Sequence, residues 1–137
     1  MSKEEYTIKT ISQNHKIQAG KLIIIDYGKD LKIIFQNDQF EISEKGEFPF
    51  FILQNIREQL EEKEIFLLIN ANRWDLYPSG MQLMNFTAYE LEIGKPATNS
   101  VSILDTAELV EKIGSVKKQN DFFNEWVVSL SSPKQKL

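Results

Sequence analysis

Three runs decide how this chain folds: Lys21-Leu22-Ile23-Ile24-Ile25-Asp26-Tyr27, Leu31-Lys32-Ile33-Ile34-Phe35-Gln36 and Gln39-Phe40-Glu41-Ile42-Ser43. The first is rich in β-branched side chains, which suit a pleated, half-buried surface. Gly28-Lys29-Asp30 supplies a turn into the second, and Asn37-Asp38 reads as a two-residue hairpin connection into the third. In the third run Phe40 and Ile42 alternate with Gln39, Glu41 and Ser43, so one face is expected to be wet. An antiparallel meander is the expected result. Ahead of it, Tyr6-Thr7-Ile8-Lys9-Thr10 carries a weaker strand signal, separated by the polar Ser12-Gln13-Asn14-His15-Lys16.

Working outward toward the C-terminus, Pro49 sits where a first helical turn tolerates proline. Ile52, Leu53, Ile56 and Leu60 then recur at helical spacing, with Gln54, Arg57, Glu58, Glu61 and Glu62 assigned to the other, polar face. This predicts a helix over 49–63, followed almost at once by a buried strand at Ile65-Phe66-Leu67-Leu68-Ile69. Ala88 to Ile93 and Ser100 to Leu104 alternate as a further strand pair. Asp105-Thr106-Ala107-Glu108 fits a capping box, predicting a short helix that Gly114 closes. Ser115 is the expected cap of a last helix over 115–130. Its stripe of Gln119, Phe123, Trp126, Val127 and Leu130 is expected to pack into the core. The chain thus reads as α+β: a single domain over 1–130, mostly antiparallel sheet, with two main amphipathic helices packed on one face. Residues 131–137 read as a polar tail expected to fray.

Composition narrows the function classes. Of 137 residues, 42% are hydrophobic and 26% charged, which suits one globular domain with its own core. No apolar run approaches the roughly 20 residues that span a bilayer, and no membrane partner is expected. The charged N-terminus lacks a signal-peptide stretch, and the chain has no cysteine, so a cytoplasmic address is expected. Net charge is −4, but it is uneven. Residues 38–64 carry Lys45, Arg57 and Lys63 against eight acids, whereas the flanking regions are near balance. Such an acidic segment repels phosphate backbones and attracts basic partners. Equally, it describes a solvated helix face.

Catalytic signatures are missing from the residues. His15 is the lone histidine and sits outside any metal spacing. Ser79 lies in Pro-Ser-Gly rather than a nucleophile elbow, and no phosphate-cradling glycine loop occurs. The carboxylate groups Glu61/Glu62/Glu64 and Glu90/Glu92 have no evident pocket to raise their pKa values. Lys117-Lys118 and Lys134/Lys136 are isolated pairs, not a nucleic-acid stripe. The expectation is a non-enzyme with no cofactor, no metal and no nucleic-acid partner.

One stretch stands apart: Asn70-Ala71-Asn72-Arg73-Trp74-Asp75-Leu76-Tyr77-Pro78-Ser79-Gly80-Met81. It holds one of two arginines and one of two tryptophans. On a structural reading it is a turn-rich loop, with Arg73 and Asp75 pairing at the surface for under about 1 kcal/mol and Trp74 and Tyr77 covering a sheet edge. On a functional reading, Arg, Trp and Tyr are the types enriched in binding hot spots.

The segment Arg73 to Met81 resembles the signature of a group of small uncharacterised bacterial proteins, an Arg-x-Asp-x-Tyr-Pro-Ser-Gly-Met segment followed by an Ala-Tyr strand. Ile113-Gly114-Ser115-Val116-Lys117-Lys118-Gln119, the following aromatic pair and Trp126 extend the likeness, which covers about residues 66–128. The group carries a glycine-rich stretch after the methionine, whereas Gln82-Leu83-Met84-Asn85-Phe86-Thr87 has no glycine. Small acidic proteins of this kind resemble immunity proteins encoded beside bacterial toxins. That resemblance implies a cognate protein toxin as partner, with a nuclease suited to charge complementarity. The expected contacts are Glu58, Glu61, Glu62 and Glu64 as the acidic patch, with Arg73, Trp74, Asp75 and Tyr77 from the loop. Two other readings stay open: a small ligand-binding or hydrolase domain using Asn72, Arg73, Asp75 and Tyr77, and a structural or adaptor domain.

Overall fold

The computed structural model describes residues 1–131, so the expected tail falls outside the described residues from 132 onward. Four antiparallel strands open the fold: β1 (Ser2–Ser12), β2 (Ile17–Asp26), β3 (Leu31–Gln36) and β4 (Glu41–Gly46). The meander is as expected, but β1 is longer than its weak signal suggested, because it pairs with β2 from Ser2 to Ile11. The β3–β4 connection spans four residues rather than two. Asn37 Oδ1 accepts hydrogen bonds from the backbone of Gln39 and Phe40 at 2.8 and 2.9 Å, which holds Phe40 in the turn instead of the strand.

Helix α1 (Pro49–Glu62) starts on the expected proline and lies against the curled sheet. Strand β5 (Ile65–Leu67) then pairs with β1, giving the order β4-β3-β2-β1-β5. Leu22, Ile24, Ile33, Phe35 and Ile42 from the sheet meet Ile52, Leu53, Ile56 and Leu60 from α1 in one core. Burial of such side chains contributes about 1.5–3 kcal/mol each, so this interface is the main source of stability. Because β5 covers β1 over Thr10–Ser12, the Ser2–Ile8 stretch has a strand neighbour on one side. Lys3, Glu4 and Glu5 are exposed there, and their charges oppose sheet-to-sheet aggregation.

A second, smaller sheet of β6 (Leu76–Tyr77), β7 (Thr87–Glu90) and β8 (Ser100–Ser102) follows, again antiparallel. The capping-box helix expected from Asp105 does not form. Instead the segment extends beside residues 68–71: Asn70 donates to the Asp105 carbonyl at 2.8 Å, Ala71 to that of Ile103 at 2.9 Å, and Ala107 to that of Leu68 at 3.1 Å. Long-range backbone bonds there displace a weak local helix, and one 3-10 turn remains at Val110–Lys112. Helix α2 (Val116–Ser131) closes the fold, with Ser115 Oγ accepting from the Lys118 amide at 3.0 Å as its N-cap. It packs on α1 and β6.

Candidate functional site

Helices α1 and α2 run antiparallel. Val116 donates its amide to Glu61 Oε2 at 2.9 Å, and Gln54 Nε2 reaches Gln119 Oε1 and Asn120 Oδ1 at 3.0 Å each. Residues late in one helix therefore face residues early in the other. The periodicity assigned Gln54 and Arg57 to a wet face, and the structure corrects this. Arg57 is 1% exposed and Gln119 is 0% exposed. Arg57 Nη1 donates to the Ala71 carbonyl at 2.8 Å and to Gln119 Oε1 at 2.6 Å, while Nη2 reaches the Gly114 carbonyl at 3.3 Å. Gln119 Nε2 in turn donates to the Ala71 and Arg73 carbonyls. Desolvation pushes the Arg57 guanidinium down to about 10, against the opposing pull of Glu61 and Glu58. Among the described residues its Nε and both side-chain polar atoms of Asn72 have no hydrogen-bond partner.

The four acids proposed as one patch diverge. Glu58 and Glu62 are exposed on the outer face of α1, in line with Phe51 and Asn55 at helical spacing. Neither takes part in an ion pair among the described residues. Glu61 is turned toward α2, where it caps the first turn, and burial raises its pKa more than the Val116 amide and Arg57 lower it. Sequence reasoning placed this carboxylate in water, which misses the docking of α2 over it. Glu64, two residues past the end of α1, adopts a left-handed conformation (φ 59°) and its carbonyl accepts from the Gln13 amide, so it faces the β1–β2 turn.

The loop residues also part company. Arg73 and Asp75 are not a solvated surface pair: their side chains are 13% and 6% exposed, with Nε–Oδ1 and Nη2–Oδ2 contacts of 3.0 Å. Arg73 Nη1 binds Glu90 at 2.8 Å and Lys112 Nζ binds Asp75 at 2.8 Å, making a four-membered ionic cluster. Burial would raise the Asp75 pKa, but the hydrogen bonds and charges of Arg73 and Lys112 outweigh it and hold the carboxyl below its ordinary value. Asn99 and Arg73 likewise lower Glu90. Arg73, Glu90 and Lys112 form the wall between two open clefts of about 540 and 370 Å³. A hydrolase site at these clefts calls for a carboxyl of raised pKa beside Arg73. Asp75 and Glu90 shift the other way and are not poised as proton donors.

Tyr77 stacks on Phe123 at 4.0 Å between ring centroids and touches Phe50 and Phe51 edge-on, so it joins α1, β6 and α2. Trp74 lies on the other flank of α2, over Gly114, where a Cβ would come within 3.2 Å of it, and edge-on to Phe122 at 4.9 Å. Lys118 Nζ sits 4.8 Å from its ring centroid. Since α1 meets Val116, Gln119 and Asn120 while Trp74 meets Lys118 and Phe122, α2 stands between the α1 acids and Trp74. Glu90, Lys112 and Phe123 were missed as site residues. The useful signal was Gln119, a polar residue inside an apolar helical stripe. Among the described residues no three His, Cys, Asp or Glu gather to hold a metal, and no described helix is long and apolar enough to cross a membrane. No protein-family model matches this chain, and no curated protein matches it.

Proposed function

We propose that this protein is a cytoplasmic immunity protein that binds one cognate bacterial toxin and blocks it by direct contact. The observation that carries the reading is the outer face of α1. Glu58 and Glu62 stand exposed with no cation paired to them among the described residues, on the same helical ridge as the half-buried Phe51. A nuclease-type toxin presents a basic surface to phosphate, and unpaired carboxylates on a rigid helix complement it and speed association. The likeness of residues 73–81 to the Arg-x-Asp-x-Tyr-Pro-Ser-Gly-Met group supports the same reading. Trp74, on its own flank of α2, is a second candidate anchor. Co-expression with a toxin encoded beside this chain should restore growth and yield a complex that survives gel filtration. A toxin that still kills, with no complex recovered, removes the reading.

A further inference from the structure

The apolar stripe of α2 runs past the surface that supports it. Val116, Gln119 and Phe123 sit against α1 and Tyr77, but α1 begins at Pro49, opposite the middle of α2. Val127 and Leu130 continue the same face by i, i+4 and i, i+7 spacing and remain 43% and 42% exposed. The overhang is not loose. Trp126 Nε1 donates to the Lys95 carbonyl at 2.8 Å, and the Gly94 amide donates to Ser129 Oγ at 2.8 Å. A tethered helix thus presents apolar side chains beside the half-buried rings of Phe51, Phe123 and Trp126.

Along the α1–α2 seam, this apolar end leads to Asn55 and then to Glu58 and Glu62, which pair with no cation among the described residues. From that order of chemistry we infer that the seam docks an amphipathic helix of a partner protein. The helix carries bulky apolar residues at one end and lysine or arginine at the other. Other occupants are opposed by charge. A second copy laid parallel would set Glu58 and Glu62 against their equivalents, and one laid antiparallel would press those acids onto apolar side chains. An anionic lipid surface would meet the same carboxylates. From Leu130 to Glu62 the seam runs about 26 Å, the length of a helix of about 17 residues. The inference narrows the immunity reading to one face and rests on it only for who the partner is.

The probe is a fluorescent, end-capped 18-residue helical peptide with leucines on one face of its first half and lysines in its second half. Its counterpart has glutamates in place of lysines. Fluorescence anisotropy should show the lysine peptide binding at least tenfold more tightly, with affinity falling as salt rises. Glu58→Lys with Glu62→Lys should weaken it tenfold or more and flatten the salt dependence. Val127→Asp with Leu130→Asp should weaken it as much while leaving the salt slope intact. Thermal melts matching the unaltered protein exclude unfolding as the cause. No binding, or binding indifferent to both double variants, overturns the inference. A toxin complex that tolerates both double variants overturns the seam but not immunity. Seam binding without any toxin complex does the reverse.

Discussion

The chain has two arginines, sixteen positions apart, and their surroundings are opposite. Arg57 is enclosed where α1, the 70–72 turn and α2 meet, and it binds neutral acceptors: two carbonyl oxygens and an amide oxygen. Arg73 lies at the wall of two open clefts and binds two carboxylates. The first is a tie between elements, with its charge dispersed over backbone dipoles and its pKa lowered by desolvation. The second belongs to an ionic cluster whose members hold one another charged. A guanidinium serves both because it presents five donors in a planar fork.

The largest test of that contrast is Arg57→Ala, expected to cost about 3 kcal/mol or more, since it removes three hydrogen bonds from a dry site, leaves the Gly114 carbonyl without its side-chain donor and opens a cavity. Amide exchange should rise first over the seated half of α2, residues 116–123. Arg57→Lys should recover little, because a single ammonium cannot meet three acceptors placed for a fork. If both variants melt like the parent, Arg57 is not the tie described.

Arg73→Ala should cost less, about 1–2 kcal/mol, because Asp75 keeps Lys112 at 2.8 Å. A double-mutant cycle with Asp75→Asn, read by urea denaturation, should show clear coupling between the two. Arg73→Lys should restore part of the loss, unlike its counterpart at position 57.

Acid titration sharpens the comparison further. The Asp75 pKa is lowered in the fold, so its stabilisation is present above the ordinary value of 3.8 and lost as pH falls through the folded value. Glu61 carries the opposite sign. Its raised pKa means a contribution present below 4.5 and lost as pH rises through the folded value. Urea melts from about pH 7 to about pH 2 should show stability falling on the acid side, and Asp75→Asn should flatten that limb. Glu61→Gln should lessen the loss on the higher side of 4.5.

The smallest effect is expected at Asn72, which is 1% exposed with neither side-chain polar atom bonded among the described residues. Replacing an unsatisfied amide by an apolar group of similar size is neutral or stabilising. Asn72→Leu should therefore shift stability by no more than about 1 kcal/mol, in the stabilising direction. A loss above that amount would mean the amide has a role its surroundings do not explain.

Much of the fold was legible because its signals are local and periodic. The β-branched runs at 21–27 and 31–36 mark strands between turn residues, Ile42 marks a core-facing position by alternation, and Ile52, Ile56 and Leu60 mark α1 by a period near 3.6. The misread helix at Asp105 shows the limit. A capping pattern is worth about 1 kcal/mol, less than three backbone bonds to residues 68–71. The candidate site was legible in its residue types more than in its grouping. Arg73, Trp74, Asp75 and Tyr77 stand within five positions, yet the fold sends them to an ionic cluster, a flank of α2 and an aromatic seam.

By itself the sequence determined the α+β class, the meander, the start of α1 at Pro49 and the cap of α2 at Ser115, since each depends on side chains within a turn or two of one another. Only the tertiary structure decided that Arg57 and Gln119 are buried, that Glu61 caps a neighbouring helix, and that Glu58 and Glu62 are left facing outward. It also decided that Val127 and Leu130 overhang. These outcomes depend on where α1 ends relative to α2, and that register comes from contacts about sixty residues apart, beyond the reach of any local pattern.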